Sequence, residues 1–190
     1  MTRALPLLLL CAAAHAAEVR LPSAPPPAHF DTESVTNAPI PRPVIESARI
    51  FRASVSLRAT PSNNVEVAFG SSRDGDGVLL PGDESFAFGW ENGVWFLASP
   101  TNRIRSTAFE QAAARSLSFQ LRVREDGSPV SLVVSDAIAG GLFPDLTNAP
   151  PAWLFSRDWD TVRLTVRGTD ERDENLSVRL DTDAGVLILR

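Results

Sequence analysis

The chain has a single cysteine, Cys11, and no lysine; all 18 basic residues are arginine. Histidine occurs twice, at His15 and His29. These shortages exclude whole classes of chemistry. Structural zinc is built from Cys and His ligands, and too few are present. A Ser-His-Asp site needs a rigidly held base, but His29 lies in a proline-rich stretch. The formal charge of −5 lacks the basic excess that nucleic-acid binding requires. Long apolar runs are absent beyond the N-terminus. Gly185-Val186-Leu187-Ile188-Leu189-Arg190 is far short of the roughly 20 residues of a membrane-spanning helix.

Residues 1–16 read as a cleavable signal peptide. Met1-Thr2-Arg3 supplies a positive start, Ala4 to Ala14 a short apolar core, and Ala14-His15-Ala16 a small-x-small cleavage site. Cleavage removes Cys11 and His15 and leaves no disulfide, so stability must come from a hydrophobic core. The remaining length suits one domain. The expected destination is outside the cytoplasm: periplasm, cell surface or extracellular space. The Leu-rich run ending at Cys11 also resembles a lipoprotein signal, although Leu10 stands where such signals carry a small residue.

Residues 17–43 hold seven of the 15 prolines and read as an extended lead-in, because proline removes backbone donors. From residue 44 to 190 the pattern is β. Phe51, Ala53, Val55 and Leu57 alternate with polar residues, the period of a half-buried strand. Asn92-Gly93 suits a two-residue type I′ turn, which sets Glu91 opposite Val94, Trp90 opposite Trp95 and Phe88 opposite Leu97. Asp126-Gly127 would set Val123 opposite Val130, Leu121 opposite Leu132 and Phe119 opposite Val134. Val162, Leu164 and Val166, then Leu176, Val178 and Leu180, repeat the alternation. Thr107-Ala108-Phe109-Glu110 is a capping-box pattern and predicts about two helical turns running to Ala114. Ala137 to Trp153 reads as a long loop. The expected architecture is all-β: one β-sandwich or jelly roll of about nine or ten antiparallel strands with at most one short helix.

Two groups of residues are candidate sites. Trp90 and Trp95 are cross-strand neighbours, and Trp153 and Trp159 flank a short apolar stretch. If exposed, such rings would stack on sugars; apolar residues on both faces of the 84–98 hairpin favour a buried aromatic cluster instead. The second group is the acidic loop Ser72-Arg73-Asp74-Gly75-Asp76-Gly77-Val78, closed by Asp83-Glu84. Calcium requires several oxygen ligands gathered by a tight turn. The loop resembles those of EF-hands, dockerins and thrombospondin type 3 repeats. That resemblance implies calcium ligands at Ser72, Asp74, Asp76, the Val78 carbonyl and Asp83 or Glu84. It departs from those families in its leading Ser, its closing Asp and its strand-like flanks. Paired acids for glycoside hydrolysis could be drawn from Glu84, Glu91, Glu110 and Asp136.

The Trp159-Asp160-Thr161-Val162-Arg163-Leu164 strand and the turn after it faintly resemble laminin-G and concanavalin-like sandwiches. The resemblance implies a glycan- or protein-binding module, often with calcium; an immunoglobulin-like sandwich lacks its Cys and Trp hallmarks here. The functional expectation is therefore an exported non-catalytic module for a glycan or a surface protein. A structural subunit of the cell envelope and a small glycan-active enzyme stand as alternatives.

Overall fold

The structure, a computed structural model, describes residues 33–59, 64–109, 113–167, 177–183 and 185–189. The signal segment, His29, Glu110 and Leu176 lie outside these residues. The elements run β1 (Glu33–Pro39), α1 (Arg42–Glu46), β2 (Ile50–Ala59), β3 (Asn64–Gly70), β4 (Glu84–Glu91), β5 (Val94–Ala98) and β6 (Arg103–Arg105). They continue as β7 (Ala113–Val123), β8 (Pro129–Asp136), β9 (Gly140–Leu142), β10 (Thr161–Arg167), β11 (Ser177–Thr182) and β12 (Gly185–Leu189). Two six-stranded antiparallel sheets result. Sheet A has the order β1-β10-β3-β4-β5-β6, and sheet B the order β12-β11-β2-β7-β8-β9. Among the described residues no helix is long and apolar enough to cross a membrane.

The two sheets meet on aromatic rings. Phe51 and Phe119 of sheet B contact Phe69, Phe86 and Phe88 of sheet A at ring-centroid distances of 5.5–6.0 Å. Alternation along β2 buries Phe51, Ala53, Val55 and Leu57, so one face of each central strand is removed from water. That burial is the dominant favourable term in folding.

The hairpin at Asn92-Gly93 has the expected register, Glu91 with Val94, Trp90 with Trp95 and Phe88 with Leu97. Both turn residues have positive φ, 49° and 83°. The second hairpin pairs Leu121 with Leu132 and Phe119 with Val134, but Val123 faces Pro129 rather than Val130. The Asp126 carboxylate accepts the Ser128 N–H and Arg124 N–H reaches the Ser128 carbonyl. This tightened turn puts a bulge at Arg122/Val123 and leaves Val130 exposed.

Three further expectations change. The first strand lies inside the proline-rich stretch: 33–39 pairs along its length with β10, because Ser34 to Ala38 contains no proline and Pro39 ends the strand at the sheet edge. The helix expected from Thr107 to Ala114 is absent from the described residues, with 110–112 lying outside them. Phe109 N–H instead donates to the Gly93 carbonyl, Ser106 Oγ accepts from Trp95 N–H, and β7 already begins at Ala113. The Ala137–Trp153 segment contains the short edge strand β9 and two single 3-10 turns, 144–146 and 152–154.

Residues 71–83 fold back over the outer face of sheet A. Leu79 is buried there with Ala68, Ala87, Phe96 and Ala98. Gly70 makes the approach possible, since a Cβ on it would lie 2.2 Å from the Asp83 carbonyl oxygen and 2.6 Å from Leu79. Gly70→Ala is therefore expected to lift the loop at a cost of about 1–3 kcal/mol, read from a denaturant melt. An unchanged midpoint would show that the loop is not packed in this way.

Candidate binding surface

Three of the four tryptophans are core residues: Trp90, Trp95 and Trp159 are 1%, 0% and 1% exposed. Trp153 is half-buried, with its ring 6.1 Å from that of Phe86. The three buried rings therefore present no face to a sugar. Their polar edges are satisfied inside: Trp159 Nε1 donates to Ser85 Oγ at 2.6 Å, and Trp95 Nε1 to Asp136 Oδ2 at 2.8 Å.

Asp136 anchors a closed circuit between the sheets. Its Oδ1 accepts from Arg115 Nη1 at 3.0 Å and from the backbone N–H groups of Ile138 and Ala139 at 2.9 and 2.8 Å. The Arg115 guanidinium lies 4.0 Å from the Phe109 ring centre, Phe109 stacks on Trp90, and Trp90 meets Trp95 edge-on at 5.1 Å. Burial pushes the Asp136 carboxyl up. The Ala139, Trp95 and Ile138 donors and the Arg115 charge outweigh that push and hold it below its ordinary value. A carboxylate so held remains ionised and has little capacity left to take a proton from a substrate.

The acidic loop does not gather its expected ligands. Ser72 turns to Asp160, its N–H 2.8 Å from Oδ1. Asp76 accepts the Val78 N–H at 2.9 Å, a turn within the loop itself. Asp83 pairs with Arg73 at 2.5 Å, and Glu84 pairs with Arg163. Arg163 also donates to Glu66 and to the Leu79 carbonyl. Asp74 is exposed. Among the described residues no three Asp, Glu, His or Cys side chains converge as a metal site.

The open surface lies elsewhere, on the outer face of sheet B. Ladder pairing places Arg179, Ser54, Ser118, Ser135 and Gly141 in one row across five strands. Ser56 and Ser116 form a row on one side, with their hydroxyls 3.1 Å apart. On the other side run Asp181, Arg52, Gln120 and Val133, with Arg52 Nε bonded to Gln120 Oε1 at 3.2 Å. Arg122 and Ser131 follow. Ser118 and Arg122 are exposed, and Val133 is 53% exposed, whereas the matching face of sheet A is covered by the 71–83 loop.

Strand propensity does not account for these serines, because Thr is the hydroxyl residue that suits a pleated surface. Serine keeps the hydroxyl and removes the methyl, which lowers the shelf beside the taller Arg52–Gln120 row. A reading of polar against apolar positions overlooks this; the visible signal was the recurrence of Ser at outward positions of 54–56, 116–118 and 131–135.

No family model matches the chain and no curated protein matches it. Among solved structures, a scytalidoglutamic peptidase bound to a peptide-based transition-state analogue is similar at 11% identity and TM-score 0.36, over 84% of this chain and 83% of that one. A sialidase is similar at 10% identity and TM-score 0.37, over 80% of this chain. The match spans 14% of the sialidase, and neither likeness reaches the level at which it informs function.

Proposed function

We propose that this chain is an exported binding module that takes a glycan on the open face of sheet B. The observation behind the reading is the serine shelf itself: Ser54, Ser118 and Ser135 in register on three adjacent strands, with Ser118 exposed and Ser54 and Ser135 half-buried, beside the Arg52–Gln120 pair. Hydroxyl and amide groups both donate and accept, which suits the ring hydroxyls of a sugar chain. The donor-saturated Asp136 supports binding over acid–base chemistry at that carboxylate.

Ser118→Trp, a bulky change at an exposed position, is expected to abolish retention on a polysaccharide panel while leaving the melting temperature unchanged. Retention that survives the change would overturn the assignment to this face. Calcium enters only through the 71–83 loop. A thermal melt in millimolar calcium against a chelator tests it, since binding there would require Arg73 or Arg163 to release its acid.

One observation favours an envelope subunit as a second reading. Among the described residues β12 is the outer strand of sheet B, and its sequence, Val186-Leu187-Ile188-Leu189, suits pairing with an added strand. Sedimentation across a concentration series tests it: assembly abolished by Ile188→Pro supports this reading, and a monomer at every concentration ends it.

A further inference from the structure

We infer that the glycan on this face is anionic, an inference that rests on the binding reading above. Seven arginines of the described residues are held by carboxylates. Arg49 pairs with Glu125, Arg73 with Asp83, Arg103 and Arg105 with Glu91, Arg115 with Asp136, Arg163 with Glu66 and Glu84, and Arg179 with Asp181. Arg42, Arg52, Arg122, Arg124 and Arg157 have no carboxylate partner among the described residues, and of these Arg52 and Arg122 stand out by their place. Both project from the outer face of sheet B, on adjacent strands and on either side of Gln120 along the ladder. In a chain of net charge −5, two unneutralised guanidinium groups beside the one open shelf form a local basic strip. The acid beside Arg52 in this row, Asp181, is held by Arg179.

The geometry favours a polysaccharide over an acidic peptide. The serine row crosses the strands at their ~4.8 Å spacing, comparable to the advance of one pyranose unit along an extended chain. Each step then offers a hydroxyl to a ring. Carboxylate or sulfate groups on the same sugars lie towards Arg52 and Arg122, where a planar guanidinium can hold two oxygens at once.

The test is a binding series with the full chain on polygalacturonate, dextran sulfate, neutral dextran and poly-L-glutamate at two salt concentrations. Binding to polygalacturonate or dextran sulfate should exceed binding to neutral dextran and weaken with salt; the carboxylated and sulfated arms identify the anion. Arg52→Gln and Arg122→Gln should each weaken it about tenfold, with melting temperatures near wild type. Neutral dextran bound as well as the acidic polymers, with both variants unaffected, would overturn the anionic inference and leave glycan binding standing. Poly-L-glutamate bound as tightly as the acidic polysaccharides would assign the strip to charge alone and overturn the polysaccharide class. No retention of any polymer would overturn both readings.

Discussion

Asp136→Asn is expected to destabilise the protein by about 3–5 kcal/mol, the range for removing one partner of a buried ion pair. Arg115 would stay buried at 8% exposure, its guanidinium facing a neutral amide. The amide oxygen would stay at the Oδ1 position, where three donors converge. Its NH₂ would then point at Trp95 Nε1–H, donor against donor, where Oδ2 now accepts. Pairing the change with Trp95→Phe removes the opposing donor. The double variant should therefore be less destabilised than the sum of the singles, by about 1–3 kcal/mol. Denaturant melts of the four proteins measure this. Additivity would mean that the Trp95–Asp136 bond does not join the sheets.

The same circuit gives a pH dependence. The Asp136 carboxyl titrates below its ordinary value because its donors outweigh burial. A depressed folded-state pKa stabilises above the unfolded value of about 3.9 and loses that contribution as pH falls through the folded value. Asp183 behaves alike: burial raises its pKa and the Arg49 and Ile50 N–H groups more than offset it. Acidification below pH ~4 should thus lower wild-type stability. The gap between wild type and Asp136→Asn should narrow over the same range. A gap constant from neutral pH down to acid unfolding would show that Asp136 is not held ionised.

What was legible in the sequence follows from range. The Asn92-Gly93 turn states its own geometry, so three pairs of its hairpin could be read from a few residues. The Asp126-Gly127 hairpin was legible up to the bulge, whose cause is a side-chain bond to Ser128 that alternation does not record. Two apolar faces on 84–98 announced a buried hairpin, and Trp90 and Trp95 are buried. The fate of the acids was not legible. Glu84 meets Arg163, 79 positions away, and Asp136 meets Trp95, 41 away. Such partners are set by strand order in two sheets, which no local pattern specifies. β1 was hidden because prolines surround it, though only its last residue is proline. The open face was half-legible: its polarity was plain, but its composition of serine in place of threonine gains meaning only when the rows are aligned.

Arg157→Lys is expected to cost about 2 kcal/mol and Arg157→Ala about 3 kcal/mol, although this side chain makes no ion pair among the described residues. Its guanidinium is spent on carbonyls. Nε donates to Glu125 O at 3.1 Å, Nη1 to Ile45 O and Glu46 O at 2.7 and 2.6 Å, and Nη2 to Ala48 O and Arg124 O at 3.1 and 2.8 Å. Those oxygens belong to the end of α1, the approach to β2 and the β7–β8 turn, so one side chain ties α1 to the end of the β2–β7 ladder. Lysine has the charge, but its three donors radiate from a single atom and cannot serve five carbonyls spread around the edge of a planar group. Arg157→Met keeps most of the stem that packs beneath Gly127 and separates contact from bonding. If bonding dominates, Met should resemble Ala. The loss should also be local first: amide exchange at Arg124 and Gly127, whose N–H groups close the β7–β8 turn, should speed up before global unfolding. A lysine variant within about 0.5 kcal/mol of wild type, with that turn still protected, would show that the five carbonyls are as well served by water.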